Sequence, residues 1–306
     1  MELIVLPDDG IKPLLNAVNA AKKTLELIIF RFDLKDVEKA LEAAVPRGVN
    51  VSALIAHTHK GSDKRLRQLE LRMLAKGVTV SRTGDDLVRY HGKMMIVDRE
   101  ELHLYGFNYT TADLNSRSFG LVTREPKMVK EAVRLFEADA ARQEFEPLQD
   151  GFVVSPENAR EQLATFIKRA KKSLAIYDPD LTDTQMLRLL NQRVKKGVDV
   201  RVIGKAGRRA GSLRVQKLVD ARLHVRAMLR DGDAVFVGSQ SLRGLELDGR
   251  REVGLIARDP KVVKRMQEVF EADWAKTDLG RKEQKQYHKE LKQAESEEIV
   301  LEIPHT

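Results

Sequence analysis

The run Pro126-Lys127-Met128-Val129-Lys130 followed by Phe136-Glu137-Ala138-Asp139 recurs as Pro260-Lys261-Val262-Val263-Lys264 followed by Phe270-Glu271-Ala272-Asp273, both blocks at an offset of 134 residues. No other feature constrains the fold as much. A period this long is not a solenoid; it implies one α/β unit built twice. Two shorter matches agree. Ala21-Lys22-Lys23-Thr24-Leu25 parallels Ala170-Lys171-Lys172-Ser173-Leu174, and Arg47-Gly48-Val49-Asn50-Val51 parallels Lys196-Gly197-Val198-Asp199-Val200. A chain of 306 residues has room for two such units, each with its own core. We place them at 1–148 and 149–278. The tail, 279–306, is dominated by Lys, Glu and Gln, which fits a solvated helix or disorder, with Ile299 to Ile303 as a candidate edge strand. It sustains no heptad seam.

Within each unit helical and strand periodicities alternate. In the first, helices are expected from Ile11 (Asp9 as N-cap), over 35–45, 63–75 and 126–142, and strands over 24–30, 49–55, 78–81 and 119–122. In the second, helices are expected over 157–171, 183–195 and 212–219, and strands over 173–177, 198–203 and 222–228. The order βαβ with helices between strands is compatible with a mixed sheet covered by helices.

The stretch Tyr90-His91-Gly92-Lys93-Met94-Met95-Ile96-Val97-Asp98 has a polar start, a buried strand and a turn. His91 and Lys93 are two apart, so on a strand they share a face. Asp98 has the opposite parity and belongs to the turn. A second strand, Leu102 to Phe107, brings Asn108 back towards His91 and Lys93. An imidazole beside an ammonium suits a phosphate: one attacks, the other holds charge. The plainer alternative is a strand with two exposed polar residues. The duplication supplies a second copy at an offset of 133: His224-Val225-Arg226, then Asp231-Gly232 as a hairpin turn, then Gly238-Ser239-Gln240-Ser241, with Ser241 in the place of Asn108. Arg251-Glu252-Val253-Gly254 parallels Arg117-Ser118-Phe119-Gly120.

His-x-basic-x4-Asp followed by a glycine turn and a short polar residue, present twice, resembles the motif of the phospholipase D superfamily over about residues 1 to 278. The resemblance implies two α/β units about a pseudo-twofold axis, each a mixed sheet flanked by helices, with the active site between them. It implies His91 as a nucleophile forming a phosphohistidine and His224 as general acid, later the base that activates water or an alcohol. Lys93, Arg226, Asn108, Ser239 and Ser241 would hold the non-bridging oxygens, and Asp98 and Asp231 match the motif acids, which parity assigns to supporting the geometry. Glu252 would orient a histidine; its counterpart is Ser118, so that role is asymmetric. The chain departs from the family pattern at Tyr105 (usually the first glycine of the turn), Arg226 (Lys) and Ser241 (Asn). Arginine binds phosphate through a planar fork and is not equivalent to lysine.

The chemistry implied needs no cofactor and no metal. The chain lacks cysteine, which removes thiolate chemistry and cysteine-type zinc sites. His57 and His59 share a polar loop, with no carboxylate at metal-ligand spacing beside them. That loop and its basic counterpart, 205–211, both follow a strand and are candidates for the rim of the site. No apolar run approaches the ~20 residues of a membrane span, and Met1 to Asp9 has no basic start, so no signal peptide is expected. A net charge of +8 favours polyanions, both nucleic acid and anionic lipid surfaces. The expectation is a cytoplasmic protein with peripheral membrane contact open to it. The leading function is a metal-independent phosphodiesterase or phosphatidyltransferase on phospholipids. The alternatives are a nuclease of the same superfamily, against which an aromatic content of 5% counts mildly, and a non-catalytic phosphate- or lipid-binding scaffold. The chain carries both motifs, so a monomer suffices for one site.

Overall fold

The structure, a computed structural model, describes residues 1–57 and 64–301, residues 292–301 as backbone only. The expected rim loop around His59, Lys60 and Gly61 lies outside them.

The first unit runs β1 (Glu2–Leu6), α1 (Lys12–Ala20), β2 (Thr24–Ile29), α2 (Lys35–Ala44), β3 (Asn50–Ile55), α3 (Lys64–Ala75), β4 (Thr79–Arg82), β5 (Arg89–Tyr90), β6 (Met94–Val97), β7 (Glu101–Tyr105), α4 (Thr111–Leu114), β8 (Ser116–Thr123) and α5 (Pro126–Ala141). The second runs β9 (Phe152–Ser155), α6 (Ala159–Lys168), β10 (Ser173–Leu181), α7 (Thr184–Lys195), β11 (Asp199–Ala206), β12 (Arg214–Gln216), β13 (Arg222–Leu223), β14 (Arg226–Arg230), β15 (Ala234–Gly238), α8 (Gly244–Asp248), β16 (Arg250–Ala257) and α9 (Pro260–Ala275). A last helix, α10 (Asp278–Leu301), follows.

The two sheets have one topology. The first is ordered β1-β8-β7-β6-β2-β3-β4, the second β9-β16-β15-β14-β10-β11-β12. In each, the βαβ crossovers give parallel pairs (β2 with β3, β10 with β11) and the motif hairpin gives antiparallel ones (β6 with β7, β14 with β15). Helix faces and sheet faces bury the periodic residues: Leu14, Val18, Val37 and Leu41 close one outer layer, Leu163, Ile167, Leu187 and Leu190 the other. The third layer is shared. Phe119, Tyr177 and Phe270 stack edge to face between the units, at 5.4 and 5.1 Å, with α5 and α9 packed into the same core. The chain is therefore two mixed sheets flanked by helices and joined by a continuous apolar seam.

Several elements differ from the sequence-based expectation. The helix expected over 212–219 is not there. Val215 pairs in parallel with Val202, so the open edge of β11 takes this segment as a strand, β12. Strands β1, β5 and β9 have no counterpart in the expectation, and the strand expected over 222–228 is broken at His224 and Val225 into β13 and β14. Leu3 to Leu6 and Phe152 to Val154 are too short and too uniformly buried to show a period. Asp9 does not cap α1, which starts after Ile11; its carboxylate instead accepts from the Val5 amide at 2.7 Å and from Arg265. Of the candidate edge strand Ile299 to Ile303, residues 299–301 continue α10 and the rest lies outside the described residues. The start of α10 is docked: Trp274 Nε1 donates to Glu283 at 2.9 Å and Leu279 N to Gln216 at 3.2 Å. No helix among the described residues is long and apolar enough to cross a membrane.

Candidate active site

Two very short strands build the site. β5 has only Arg89 and Tyr90, yet it leaves its own unit and pairs with β16 of the other, Arg89 opposite Arg250 and Tyr90 opposite Arg251. The next amide, His91 N, donates to the Arg251 carbonyl at 2.7 Å. β13 does the reverse. Arg222 and Leu223 pair with Ser116 and Arg117 of β8, and His224 N donates to the Arg117 carbonyl at 3.1 Å. Each histidine thus precedes a strand of its own unit while its backbone is bonded to the last strand of the other. The exchange sets both imidazoles at the seam.

His91 is 7% exposed. Its Nδ1 lies 2.8 Å from Glu252 Oε2 and 3.0 Å from Oε1. Opposite a carboxylate, Nδ1 carries the proton and donates, which leaves Nε2 with its lone pair. Burial, then Lys93 and Arg226, hold the imidazole well below its ordinary pKa, so it is neutral. Burial lifts the Glu252 carboxyl above its usual range, while Lys93, Arg226, the Ser239 hydroxyl and Arg250 pull it back. Lys93 is 1% exposed and donates to the His91 carbonyl at 2.6 Å. Burial brings its pKa down to about 7, with Glu252 opposing.

The other half is not a copy. His224 Nδ1 is 3.5 Å from Asp113 Oδ2 and makes no hydrogen bond. Burial lowers its pKa to about 3 against the pull of Asp113. Where symmetry would put a second glutamate stands Ser118, whose hydroxyl donates to the His224 carbonyl at 3.2 Å. Arg226 Nε donates to Ser241 Oγ at 3.2 Å and lies 3.5 Å from Glu246, and one of its terminal nitrogens is buried with no partner. Asn108 donates to Asp113 through N and Nδ2, both at 2.7 Å, leaving Oδ1 buried and unpartnered. The open Arg226 nitrogen is a donor that an anionic ligand satisfies, while the Asn108 oxygen, an acceptor, takes only a hydroxyl or water hydrogen.

The structure therefore gathers His91, Lys93, Glu252, His224, Arg226, Asn108 and Ser241. Ser239 is buried with its hydroxyl accepting from the Val253 amide at 3.1 Å, so it fixes the turn beside Glu252. Asp98 and Asp231, the motif acids expected to support the geometry, lie apart from this group. Each sits in left-handed backbone (φ 53° and 52°) past the far end of the motif strand from its histidine. The Asp98 carboxylate accepts from the amides of Lys22, Lys23 and Thr24 at 2.6–3.1 Å, and Asp231 does the same for Lys171, Lys172 and Ser173. The basic loop after β11 is held against α7, where Arg209 donates to Thr184 Oγ1 at 3.0 Å.

Two site residues escaped the sequence reading, Asp113 and Glu246. Each follows the short polar residue of its motif by five positions, and each binds that residue's amide: Asn108 N to Asp113 at 2.7 Å, Ser241 N to Glu246 at 2.8 Å. The shared offset of 133 was the available signal.

The family model of the cardiolipin synthase, phospholipase D-like domain matches residues 14–140 and 163–274, one stretch in each unit. Among curated proteins, the mitochondrial cardiolipin hydrolases of mouse and dog are each 28% identical over 147 residues, 47% of this chain, and the match spans 63% and 55% of those relatives' own lengths. Among solved structures, a polyphosphate kinase from Porphyromonas gingivalis superposes with a TM-score of 0.72 at 19% identity, over 88% of this chain and 49% of that one. The phosphatidylserine synthase of Haemophilus influenzae superposes with a TM-score of 0.66 at 11% identity, over 90% of this chain and 86% of that one. At those identities the likeness is one of fold.

Proposed function

The chain belongs to the family of cardiolipin synthase, phospholipase D-like domains, and we propose that it is a phosphodiesterase or phosphatidyltransferase acting on phospholipids through a phosphohistidine on His91, without a metal. One observation carries the reading. Buried His91 and half-buried His224, from opposite units, share Lys93 and Arg226 as charged neighbours, and Arg226 keeps a buried nitrogen with no partner.

In this reading His91 Nε2 attacks phosphorus, since Glu252 holds the other ring nitrogen. The bond from phosphorus to the leaving alcohol breaks, and the proton on His224 passes to that oxygen. Lys93 and the Arg226 fork carry the charge on the non-bridging oxygens. Water or an alcohol then attacks from the leaving-group side, its proton goes to His224, and the phosphorus–nitrogen bond breaks. The catalytic residues are His91 and His224; Lys93, Arg226, Asn108 and Ser241 bind phosphate; Glu252 and Asp113 position. Asp98 and Asp231 hold the motif hairpins in place.

The test is headgroup release from labelled phosphatidylglycerol vesicles in excess chelator, with native protein, His91→Ala and His224→Asn, and an oligonucleotide in parallel. The expected result is release that survives chelator, vanishes in His91→Ala, and falls by about a hundredfold or more in His224→Asn, which lacks the proton for the leaving oxygen. Cleavage of the oligonucleotide with silence on lipid would replace the lipid reading by the nuclease. Binding without turnover on either would favour the scaffold.

A further inference from the structure

On the His91 side of the seam, three cations crowd one aromatic ring. Phe30, the residue after β2, is buried and meets the His91 ring edge to face, centroids 4.6 Å apart. Within 6 Å of its centroid lie Arg89 (5.2 Å), Arg31 (5.5 Å) and Lys93 (5.6 Å). Among the described residues, neither Arg31 nor Arg89 enters an ion pair or a side-chain hydrogen bond, though both are exposed and the chain is rich in carboxylates. Arg89 also stands directly opposite Arg250 in the β5–β16 pair. Like charges placed opposite each other across strands are unfavourable.

The pseudo-symmetric half shows that the fold does not require this. The counterpart of Arg89 is Arg222, which pairs with Asp113 at 2.9 Å and lies opposite Ser116, not an arginine. The counterpart of Arg31 is Asp180, which pairs with Arg243 at 3.2 Å. Both counterparts are thus paired by the protein's own side chains, whereas on the His91 side Glu246 is taken by Arg250 at 3.1 Å and, among the described residues, Arg31 and Arg89 are left without a pair. Partial burial of the guanidinium, Arg250 and Arg31 press Arg89 below its ordinary pKa against the pull of Glu252 and Glu246, and an arriving anion would relieve this.

We propose that Arg31 and Arg89, carried on the ring of Phe30 beside His91, form a second anion subsite that takes a phosphate group adjoining the phosphate that reacts. The substrate class is then a compound with two neighbouring phosphates, and these two arginines set the preference for it over a single diester. The proposal rests on the reading of His91 and His224 as a phosphate site.

The experiment is isothermal titration, at one ionic strength, of inorganic phosphate, pyrophosphate and glycerol 1,3-bisphosphate into the full chain. The proteins are native, Arg31→Gln/Arg89→Gln and Arg31→Lys/Arg89→Lys. In the native protein at least one of the two bisphosphates should bind about tenfold or more tighter than phosphate, as charge-assisted pairs to a second phosphate warrant. The glutamine pair should lose that advantage while its phosphate affinity stays within about twofold, and the lysine pair should keep most of it. The bisphosphate that gains tells whether the second phosphate is joined directly or through a polyol. No gain for either in the native protein, or an equal gain in the glutamine pair, would overturn the proposal. Turnover is read separately on vesicles and oligonucleotide. A bisphosphate preference without turnover leaves the subsite standing and removes the enzymatic reading; turnover without the preference does the opposite.

Discussion

Glu252, on the last strand of the second unit, accepts the Nδ1 proton of His91, in the first unit, at 2.8 Å. Neither unit alone completes this pair. The strand exchange of Arg89 and Tyr90 onto β16 is what brings the imidazole to the carboxylate.

Glu252→Gln keeps the shape but not the charge that fixes the tautomer. We expect kcat to fall by roughly 10²–10⁴-fold with KM little changed, as for other carboxylate-oriented histidines. The variant should stay folded, because a fully buried carboxyl is replaced by a neutral amide of the same size. Steady-state kinetics with a thermal melt checks both. A change confined to KM would assign Glu252 to substrate binding.

Lys93 shows what the site costs the fold. Burial takes its pKa from the ordinary lysine value down to about 7. A lysine with a depressed folded pKa opposes folding in full below that pKa. Between about 7 and the unfolded value of about 10.4 the unfolded chain binds the extra proton, so stability rises with pH there and the penalty is gone above it. Lys93→Met should therefore stabilise the chain at pH 6, on the order of 2 kcal/mol, with the gain shrinking steadily to pH 10, and should abolish turnover. Urea melts across that range read the sign. A gain independent of pH would mean that packing, not charge, is responsible.

Much of this was legible in the sequence, for physical reasons. The duplication fixed the architecture because each match fell on an element boundary: Thr24 and Ser173 both start the first parallel strand of their units. His91, Lys93, His224 and Arg226 were legible because the motif recurs at the shared offset of 133, not through strand parity: His91 and Lys93 lie in the link between β5 and β6, which starts only at Met94. The strand at 214–216 was not, because its partner is β11, and pairing with a sheet edge leaves no local trace in a three-residue segment. Asp113 was missed for a similar reason. Its target, His224, is on the other unit, and an acid in a four-residue helix reads as an ordinary cap region. Nor did the motif state that Arg31 belongs beside His91; only the packing of Phe30 does that.

The motif aspartates give a prediction of the opposite kind. Burial resists the Asp98 charge, but the amides of Thr24, Lys23 and Lys22 outweigh it and hold the carboxyl below its usual range. Asp98→Ala leaves three amides without their acceptor and should cost about 2–4 kcal/mol, with kcat per folded molecule within about threefold of native. Because the folded pKa is depressed, the native advantage is present above the unfolded value of about 3.9 and is lost as pH falls through the folded one. Denaturant melts at pH 7 and pH 2.5 should show the native–variant gap closing. A large drop in kcat with stability unchanged would place Asp98 in the reacting group instead.

His224 carries the sharpest conflict between role and environment. At a pKa of about 3 it is neutral near pH 7, and a general acid must hold a proton. The conflict resolves if the anion itself restores the proton, since charge arriving between Lys93, Arg226 and His224 offsets the burial that removed it. Sulfate remains a dianion from pH 5 to 8, so any proton uptake on binding belongs to the protein. We expect sulfate affinity to rise as pH falls across that range, because the bound state holds more protons than the free one. Lys93, with its pKa about 7, contributes part of the slope, and His224→Asn should remove the rest. Titration calorimetry in buffers of different ionisation enthalpy counts the protons directly. An equal count in native and His224→Asn would leave His224 without the proton that its role demands.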